Sequence, residues 1–593
     1  MLSSRFTKNT LEKLPDELLL AICRYLSSAD VLFSFYGLNS RLSQTISGYY
    51  QHVVIAKLPY IQFHCICTSI LPDIGLNISS LVISNQWKGV LSTLFLNYFS
   101  DKMSLIFPQL KHLTFISFNS NSLKLFLNSL QNLPQLCGIN LCFQYDGSIN
   151  SDGSETLLDR LFSANNNRLN SILFDDESII FSVDDKICNR FYSNIQKLSL
   201  DIKTLGDLHQ LLTILPQLIS ITVTINEDSS IPDNINTCTP VHSLKELQLQ
   251  SFSPSWSYDE LASILKRIPN VEILSISIET YDDERLIDGK KFSLLLSNLS
   301  LHKFNYFLQY YNSSSSSSLL DSKKILSSWK EFNQKFICIK NDEKKLIALY
   351  TVPFIFSYLI LHGTLARNEI FIDSYASQVK MLTLYEVSTD LVDIFSIIKK
   401  SRQIQRLNIR MDEKIVPQSL QQIHLGKLPY LTKVLAWRGS SVNMEYFRRL
   451  LEIAPNLYHL EVNFEFIRSL LDNEYICELF RRRITHLYIS IPTTIDVESV
   501  VSSISRLTTI ATSLKHFYLS LLKDYKASEL TILDILKYLP NCHCLISFGI
   551  VDIIITKELV SKDIHRWILE NSTLYDYKPF FVDYTGNIFR LWF

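Results

Sequence analysis

Glycine is scarce in this sequence, at 14 of 593 residues, and no glycine-rich loop of the kind that cradles phosphate occurs. The HExxH motif of zinc peptidases and the GxSxG motif of serine hydrolases are absent as well. Because none of these patterns is present, we predict no catalytic residues and no cofactor, and we expect a protein that is not an enzyme.

An excess of charge of either sign is also lacking. The 57 Lys and Arg residues are balanced by 58 Asp and Glu residues, which gives a formal net charge of -1. Such a chain has no overall electrostatic field that attracts nucleic acid or an anionic membrane, and we expect neither as a partner. The basic run 481–483 is interpreted as a solvated edge, with an acidic partner as the alternative.

The 11 cysteines are odd in number and lack the spacing of a disulfide framework. Their apolar surroundings predict buried thiols in a reducing compartment, so we expect the cytosol or the nucleus. Residues 64–67 and 542–544 come closest to a metal site, but they lack zinc-knuckle spacing and lie in strand-like apolar runs, so we expect no metal. The first residues also lack the basic and apolar segments of a secretory signal.

One stretch without Asp, Glu, Lys or Arg, 346–366, is long enough to cross a bilayer. Pro353, Ser357 and Gly363 interrupt it. Its β-branched and aromatic residues favour buried strands bent at the proline over a membrane helix. We therefore expect no membrane partner.

What the sequence does contain is a repeated apolar pattern in an ordered composition, with 47% hydrophobic residues and 19% charged residues. The pattern apolar-x-x-apolar-x-apolar is clearest at Leu244, Leu247 and Leu249. Further copies begin at Ile78, Leu110, Leu136, Leu169, Ile195, Leu218, Val271, Leu301, Val379, Ile404, Leu431, Leu457, Ile484, Leu514 and Cys542. Within the two longest series the copies recur every 23 to 30 residues, which is leucine-rich-repeat spacing.

A proline stands two residues before many copies, as at Pro216, Pro269 and Pro455, and is predicted to end the preceding helix. Each unit is therefore predicted as helix, turn and short strand. One unit cannot bury its own apolar face, so we expect an α/β fold in which units stack into a curved solenoid, with parallel strands inside and helices outside. The asparagine that usually follows the strand is missing from most copies, so the repeats are irregular.

Three short helices are predicted ahead of the repeats. The first, 14–26, has Pro15 at its first position and Asp16 and Glu17 in its first turn. Its apolar stripe consists of Leu18, Ile22, Tyr25 and Leu26. Residues 27–30 end the first helix and cap a second helix at 31–36. Asn39 or Ser40 caps a third helix, whose apolar positions are Leu42 and Ile46.

This segment resembles the F-box over about residues 11–50. The resemblance rests on Leu-Pro-x-Glu-Leu-Leu at 14–19, then Ile22, Tyr25-Leu26, Asp30-Val31 and Leu38-Asn39-x-Arg41. It implies binding to the S-phase kinase-associated adaptor, which joins an F-box protein to a cullin. It also implies that the following residues form the adaptor interface or the core beneath it: Leu14, Pro15, Glu17, Leu18, Ile22, Leu26, Leu32 and Leu38. The family often has Trp or Phe in the third helix, where this chain has Leu42 and Ile46.

We predict five segments: an F-box domain at 8–52, a first solenoid lobe at 53–304, an irregular insertion with a serine-rich loop at 305–377, a second lobe at 378–560, and a capping hairpin at 561–593. The resemblance implies a substrate receptor of an SCF-type cullin-RING ubiquitin ligase, whose solenoid binds an unknown target protein. Two alternatives stay open: a repeat scaffold that never joins a ligase, and a helical cap of the solenoid that binds no partner.

Overall fold

The computed structural model describes most of the chain from Leu14 onward. The described residues are 14–56, 58–84, 90–118, 126–143, 154–175, 179–183, 190–227, 239–251, 256–281, 283–312, 321–341, 345–362, 379–387, 403–411, 426–436, 444–521, 529–551, 553, 563–572, 574, 579–585 and 588–593. Residues 8–13 of the predicted F-box, the serine tract 313–318 and Gly586 of the predicted terminal turn lie outside them.

The fold is mixed α/β, with two sheets dominated by parallel strands. The chain divides into two compact units, Met1–Leu308 and Gln309–Phe593. The first sheet contains β1 His52–Ala56, β2 Ser80–Ser84, β3 His112–Phe118, β4 Gly138–Phe143, β5 Ser171–Phe174, β6 Ile180–Phe181, β7 Lys197–Ile202, β8 Ser220–Ile225, β9 Glu246–Ser251, β10 Ile273–Tyr281, β11 Lys303–Tyr311, β12 Lys335–Asn341 and β13 Leu346–Val352. Its order is 1-2-3-4-5-7-8-9-10-11-13-12, with β6 also pairing with β7.

The second sheet has the order 14-15-16-17-18-19-20-21-23-22. Its strands are β14 Tyr358–His362, β15 Met381–Val387, β16 Arg406–Met411, β17 Lys433–Ala436, β18 His459–Asn463, β19 His486–Ile491, β20 His516–Leu521, β21 Ser547–Val551, β22 Phe581–Thr585 and β23 Ile588–Trp592.

Helices connect most of the strands. They are α1 Asp16–Cys23, α2 Ser28–Phe35, α3 Ser40–Thr45, α4 Tyr60–Cys65, α5 Leu71–Ile74, α6 Val90–Phe99, α7 Met103–Ile106, α8 Ser154–Phe162, α9 Leu205–Ile214, α10 Tyr258–Arg267, α11 Gly289–Leu296, α12 Ser322–Ser328, α13 Met444–Ile453, α14 Phe464–Leu471, α15 Glu474–Arg483, α16 Val497–Ile510, α17 Glu529–Leu536 and α18 Ile564–Asn571. Shorter helical turns are Ile46–Tyr50, Ile66–Ile70, Gly75–Asn77, Ala164–Asn167 and Leu539–Asn541.

The repeated apolar pattern marks the strands, as predicted. Leu198, Ile221, Leu247 and Leu274 form one row across β7 to β10, and each is at most 2% exposed. Alternate residues of a strand point to opposite faces, so the apolar-x-apolar part of each copy turns toward the core. The parallel pairing keeps the copies in register from strand to strand. The predicted parallel strands are therefore confirmed at these positions.

The copy predicted at Cys542 is misplaced by three residues. Phe548 of β21 pairs with Phe517 of β20, which makes Leu545, and not Cys542, the counterpart of Leu514. Apolar residues stand at 542, 545 and 548, so the first two positions of the pattern fit in either register, but the third is Ser547 in one and Ile550 in the other. Cys542 instead follows the turn Leu539–Asn541 and is buried there.

The apolar stretch 346–366 forms strands over its described part, as predicted. β13 pairs antiparallel with β12. β14 follows and pairs parallel with β15, with Leu359 opposite Leu382. This repeat strand lies inside the predicted insertion and was not expected there. Among the described helices, none combines the length and apolar character needed to cross a bilayer.

The chain ends in the predicted antiparallel hairpin. β22 pairs with β23, and β23 also pairs antiparallel with β21. Phe589 and Trp592 of β23 are buried. The hairpin therefore extends the second sheet beyond its last parallel strand and covers apolar side chains at that end.

Asparagine side chains join the turns that precede neighbouring strands. Asn270 Nδ2 donates to the His242 carbonyl oxygen at 2.9 Å, and Asn456 Nδ2 donates to the Pro429 carbonyl oxygen at 2.6 Å. The buried Asn165 makes three such bonds to one earlier turn. Its Oδ1 accepts from the Leu133 N–H, and its Nδ2 donates to the carbonyl oxygens of Leu133 and Leu136.

We expect Asn165→Ala to lower the free energy of unfolding by about 1–3 kcal/mol, because buried backbone groups of Leu133 and Leu136 would lose their side-chain partner. Asn166 is the matched control, since its φ of 56° is close to the 51° of Asn165 but its side chain is exposed. Asn165→Ala and Asn166→Ala both replace Asn, which tolerates left-handed backbone, by Ala, which tolerates it less well. Urea unfolding of the two variants therefore isolates the side-chain bonds, and equal losses would contradict their role.

Candidate protein-docking surface

Capping residues define the three helices ahead of β1. α1 begins at Asp16, one residue after Pro15, and is shorter than the predicted 14–26. Ser27 Oγ accepts from the Asp30 N–H at 3.1 Å at the start of α2. Asn39 Oδ1 accepts from the Leu42 N–H at 2.8 Å at the start of α3. These side chains satisfy N–H groups that the first turn of a helix leaves without partners, which fixes where each helix starts.

The inner sides of the three helices form a small apolar core. Its members are at most 5% exposed and comprise Leu19, Cys23, Ala29, Val31, Leu32, Phe35, Leu42 and Ile46. Burial raises the pKa of the Cys23 thiol. Leu42 and Ile46, the apolar positions predicted for the third helix, therefore belong to this core.

The opposite side of α1 exposes a second set of apolar side chains. Leu18 is 52% exposed and Ile22 38%, at the four-residue spacing that places side chains on one helix face, and Leu26, in the turn after α1, is 39% exposed. Six exposed side chains are called the outer apolar residues below: Leu18, Ile22, Tyr25, Leu26, Phe33 and Leu38. Single exposed apolar side chains are ordinary, but six within 21 residues make this segment a candidate docking surface.

Arg41 holds the start of α1 against α3. Its guanidinium donates to Asp16 Oδ1 at 2.6 Å and to the Leu14 carbonyl oxygen at 2.5 Å. The ion pair is about half exposed on both sides, so it adds little free energy of folding, but it fixes the relative position of the two helices. The Leu-Pro and Arg positions of the F-box-like pattern thus meet in space.

Two long-range contacts fasten the helices to the elements that follow. Ser28 Oγ donates to the Val54 carbonyl oxygen at 3.1 Å and accepts from the Val54 N–H at 2.7 Å, which joins α2 to β1. Tyr36 Oη donates to Asp73 Oδ2 at 2.8 Å. Burial, together with the Asp73 carboxylate, raises the pKa of Tyr36 to about 12. The first unit itself therefore holds α2 in place.

The predicted interface residues separate into two groups. Pro15, Glu17, Leu18, Ile22, Leu26 and Leu38 lie on the surface. Leu14 is partly buried, and Leu32 lies in the core with no exposed area. The neighbouring Phe33 is 38% exposed and was missed, because adjacent apolar residues in a short helix do not reveal which one points outward.

The two histidine and cysteine clusters are not on strands, contrary to the sequence interpretation. Residues 64–67 lie in α4 and the helical turn after it, where His64 Nδ1 is 2.6 Å from Tyr98 Oη. Burial raises the pKa of the Cys67 thiol strongly and that of Cys542 to about 12. Within the described part of the chain, no group of three or more His, Cys, Asp or Glu residues is placed to hold a metal ion.

The basic run 481–483 forms the end of α15. Arg481 and Arg482 both pair with Glu478 one turn earlier, the latter at 2.6 Å. Arg483 donates to the carbonyl oxygens of Leu451 and Ala454 at the end of α13. Cations at helix C-termini are favourable, which gives the run a structural role.

No protein-family model matches the chain, and no curated protein matches it in sequence.

We expect Ser28→Ala to loosen α2 from β1, because the Val54 N–H and carbonyl groups would lose their side-chain partner, at a cost of about 1–2 kcal/mol. Amide hydrogen exchange within α2 should then accelerate roughly tenfold, while exchange in β7 to β10 stays unchanged. Ser34→Ala is the control, since Ser34 lies on the same helix and is exposed. The same acceleration in both variants would rule out the proposed attachment.

Proposed function

We propose that this protein is a substrate receptor of an SCF-type cullin-RING ubiquitin ligase. In this proposal the three helices are an F-box that binds the S-phase kinase-associated adaptor and, through it, a cullin. The two sheets with their helices are irregular leucine-rich-repeat lobes that bind a target protein, in the cytosol or the nucleus. The outer apolar face of α1, within a segment that resembles the F-box, is the observation that carries the proposal.

The energetics favour a partner for this face. Full burial of one large apolar side chain contributes about 1.5–3 kcal/mol, so even partial burial of the outer apolar residues in a partner's groove would support stable binding. Docking of a helix through residues spaced as Leu18 and Ile22 is a common mode of recognition. The outer apolar residues are not part of the inner core. Binding to a partner would explain why they are apolar.

The proposed mechanism is positional and involves no catalytic step in this chain. The F-box would attach the protein to the ligase, and the sheets would hold the target. Attachment of both to one chain raises the effective concentration of the target near the ubiquitin-carrying subunit.

A second candidate function is a scaffold whose three helices only cap the first sheet. The bonds of Ser28 to Val54 and of Tyr36 to Asp73 favour it, since a terminal cap would be attached in this way. A cap explains the inner core of the helices but gives no reason for an apolar outer face.

We expect the variant carrying both Leu18→Glu and Ile22→Glu to retrieve at least about tenfold less adaptor and cullin from its own cells than the wild type does. The glutamates would place charges in an apolar interface, which is costly without partners. Leu105→Glu is the matched control, because Leu105 on α7 is 75% exposed and lies outside the outer apolar residues. Circular dichroism should show that all the proteins are folded.

If the wild-type protein retrieves neither adaptor nor cullin, the ligase proposal is wrong and the scaffold remains. If the double variant retrieves as much as Leu105→Glu, the outer apolar residues are not the docking site.

A further inference from the structure

A groove of about 760 Å³ opens along the turns that precede β16 to β19 in the second unit. Gln405 lies before β16, Tyr430 and Thr432 before β17, Tyr458 before β18, and Arg482 before β19. We call this cavity the turn groove. Its volume is within the range of ligand-binding clefts, about 300–1,000 Å³.

Hydrogen bonds between neighbouring turns form the floor of the turn groove. Thr432 Oγ1 donates to the Gln405 carbonyl oxygen at 3.0 Å, and the Tyr458 N–H donates to the Thr432 carbonyl oxygen at 3.2 Å. The bond from Asn456 Nδ2 to the Pro429 carbonyl oxygen joins two turns in the same way. These carbonyl oxygens of the floor are therefore already engaged within the chain.

Side-chain donors, in contrast, remain available on the turn groove. Tyr430 is 48% exposed and Gln405 is exposed, and neither the hydroxyl nor the amide makes a hydrogen bond to a described residue. The side chain of Arg482 is 69% exposed and bonds Glu478 through Nε, which leaves its two Nη groups. The groove thus offers hydroxyl, amide and guanidinium donors to a ligand.

The charge of the turn groove is nearly balanced. Its lining, as far as the structure describes it, contains Arg482 and Arg483 and no acidic residue. Arg482 pairs with Glu478, which Arg481 shares, and Arg483 donates to carbonyl oxygens at the end of α13. The last turns of α13 and α15 carry partial negative charge, which offsets the remaining positive charge. An anionic ligand would therefore gain little here.

Aromatic and proline rings complete the lining. Tyr430, Tyr458, Pro429 and Pro455 all contribute to it. The Tyr458 ring lies edge-on to the His486 ring with centroids 4.9 Å apart, a favourable arrangement that helps to hold it in place. The turn groove therefore combines rings with donors, and lacks free carboxylates.

We propose that the turn groove binds an uncharged, proline-rich segment of a target protein in the polyproline II conformation. This inference rests on the proposed role of the second lobe in target binding. Proline has no N–H, so such a segment presents carbonyl acceptors without matching donors, and the groove supplies donors while its own carbonyls are engaged. Aromatic-lined grooves are common recognition sites for segments of this kind.

The length of the turn groove agrees with such a ligand. Four neighbouring turns spaced by the strand separation of about 4.8 Å span roughly 14 Å. A polyproline II segment rises about 3.1 Å per residue, so four to five residues would cover this distance. The segment is extended before it binds, which lowers the entropy lost on binding.

Replacements of Tyr430 separate the ring from the hydroxyl. Tyr430→Ala should weaken binding at least about tenfold, because the ring contact is lost. Tyr430→Phe should weaken it about threefold, because the ring stays and one hydrogen-bond donor is lost. Tyr475→Ala is the matched control, since Tyr475 is 54% exposed at the start of α15 and does not line the groove.

The measurement is the fluorescence anisotropy of a labelled octaproline peptide titrated with the purified full chain at pH 7, without adaptor. We expect saturable binding that changes little with added NaCl, because salt screens ion pairs and the ligand forms none. An eight-residue Gly-Ser peptide, which is flexible and carries its own N–H groups, should bind much more weakly. Circular dichroism should show that all the variants are folded.

The proposal is overturned if octaproline does not bind, if the Gly-Ser peptide binds as tightly, or if hexaglutamate binds more tightly. It is also overturned if Tyr430→Ala binds as Tyr475→Ala does, or if Tyr430→Phe binds as the wild type does. Because no adaptor is present, these outcomes are independent of whether the chain joins a ligase.

Discussion

The register of the parallel strands is the constraint on which the rest of the structure depends. A shift of one residue would turn every apolar side chain of a strand away from the core, so neighbouring strands must keep the same alternation. Leu460, Leu487 and Phe517 align for this reason across β18, β19 and β20. The same alignment applies on the other face, where it places His459, His486 and His516 in one row. The arrangement of the surface is thus a consequence of how the core is packed.

The periodic part of the fold was predictable because the core imposes a pattern on the sequence. Leu244, Leu247 and Leu249 mark their strand through spacing alone. The prediction was wrong at Cys542, where apolar residues also stand three and six positions further on, at Leu545 and Phe548. Strands were predicted within 346–366, but no repeat copy was assigned to β14, because an unbroken apolar stretch has no alternation that would reveal a register. Sequence periodicity therefore locates strands only where polar residues interrupt apolar ones.

In the helical segment ahead of β1, features that depend on neighbouring residues were predictable, whereas contacts between distant residues were not. Asn39 was one of two predicted caps, with Ser40, because capping depends on the residue type and its immediate neighbours. The attachment of Ser28 to Val54 was not predictable, since it joins residues 26 positions apart through one hydroxyl group. The exposure of Phe33 beside the buried Leu32 likewise depends on how α2 packs against β1 and the helices around it. Local chemistry indicated the helices, and packing decided which of their faces stayed outside.

Together these features support our proposal that the apolar face of α1 binds a partner shared with other ligase receptors. The most direct test of this proposal is amide hydrogen exchange of the full chain with and without the purified adaptor. We predict slower exchange in α1, between Asp16 and Cys23, and no change in β18 to β20. Unchanged exchange in α1 at an adaptor concentration that saturates a known F-box protein would contradict the central claim.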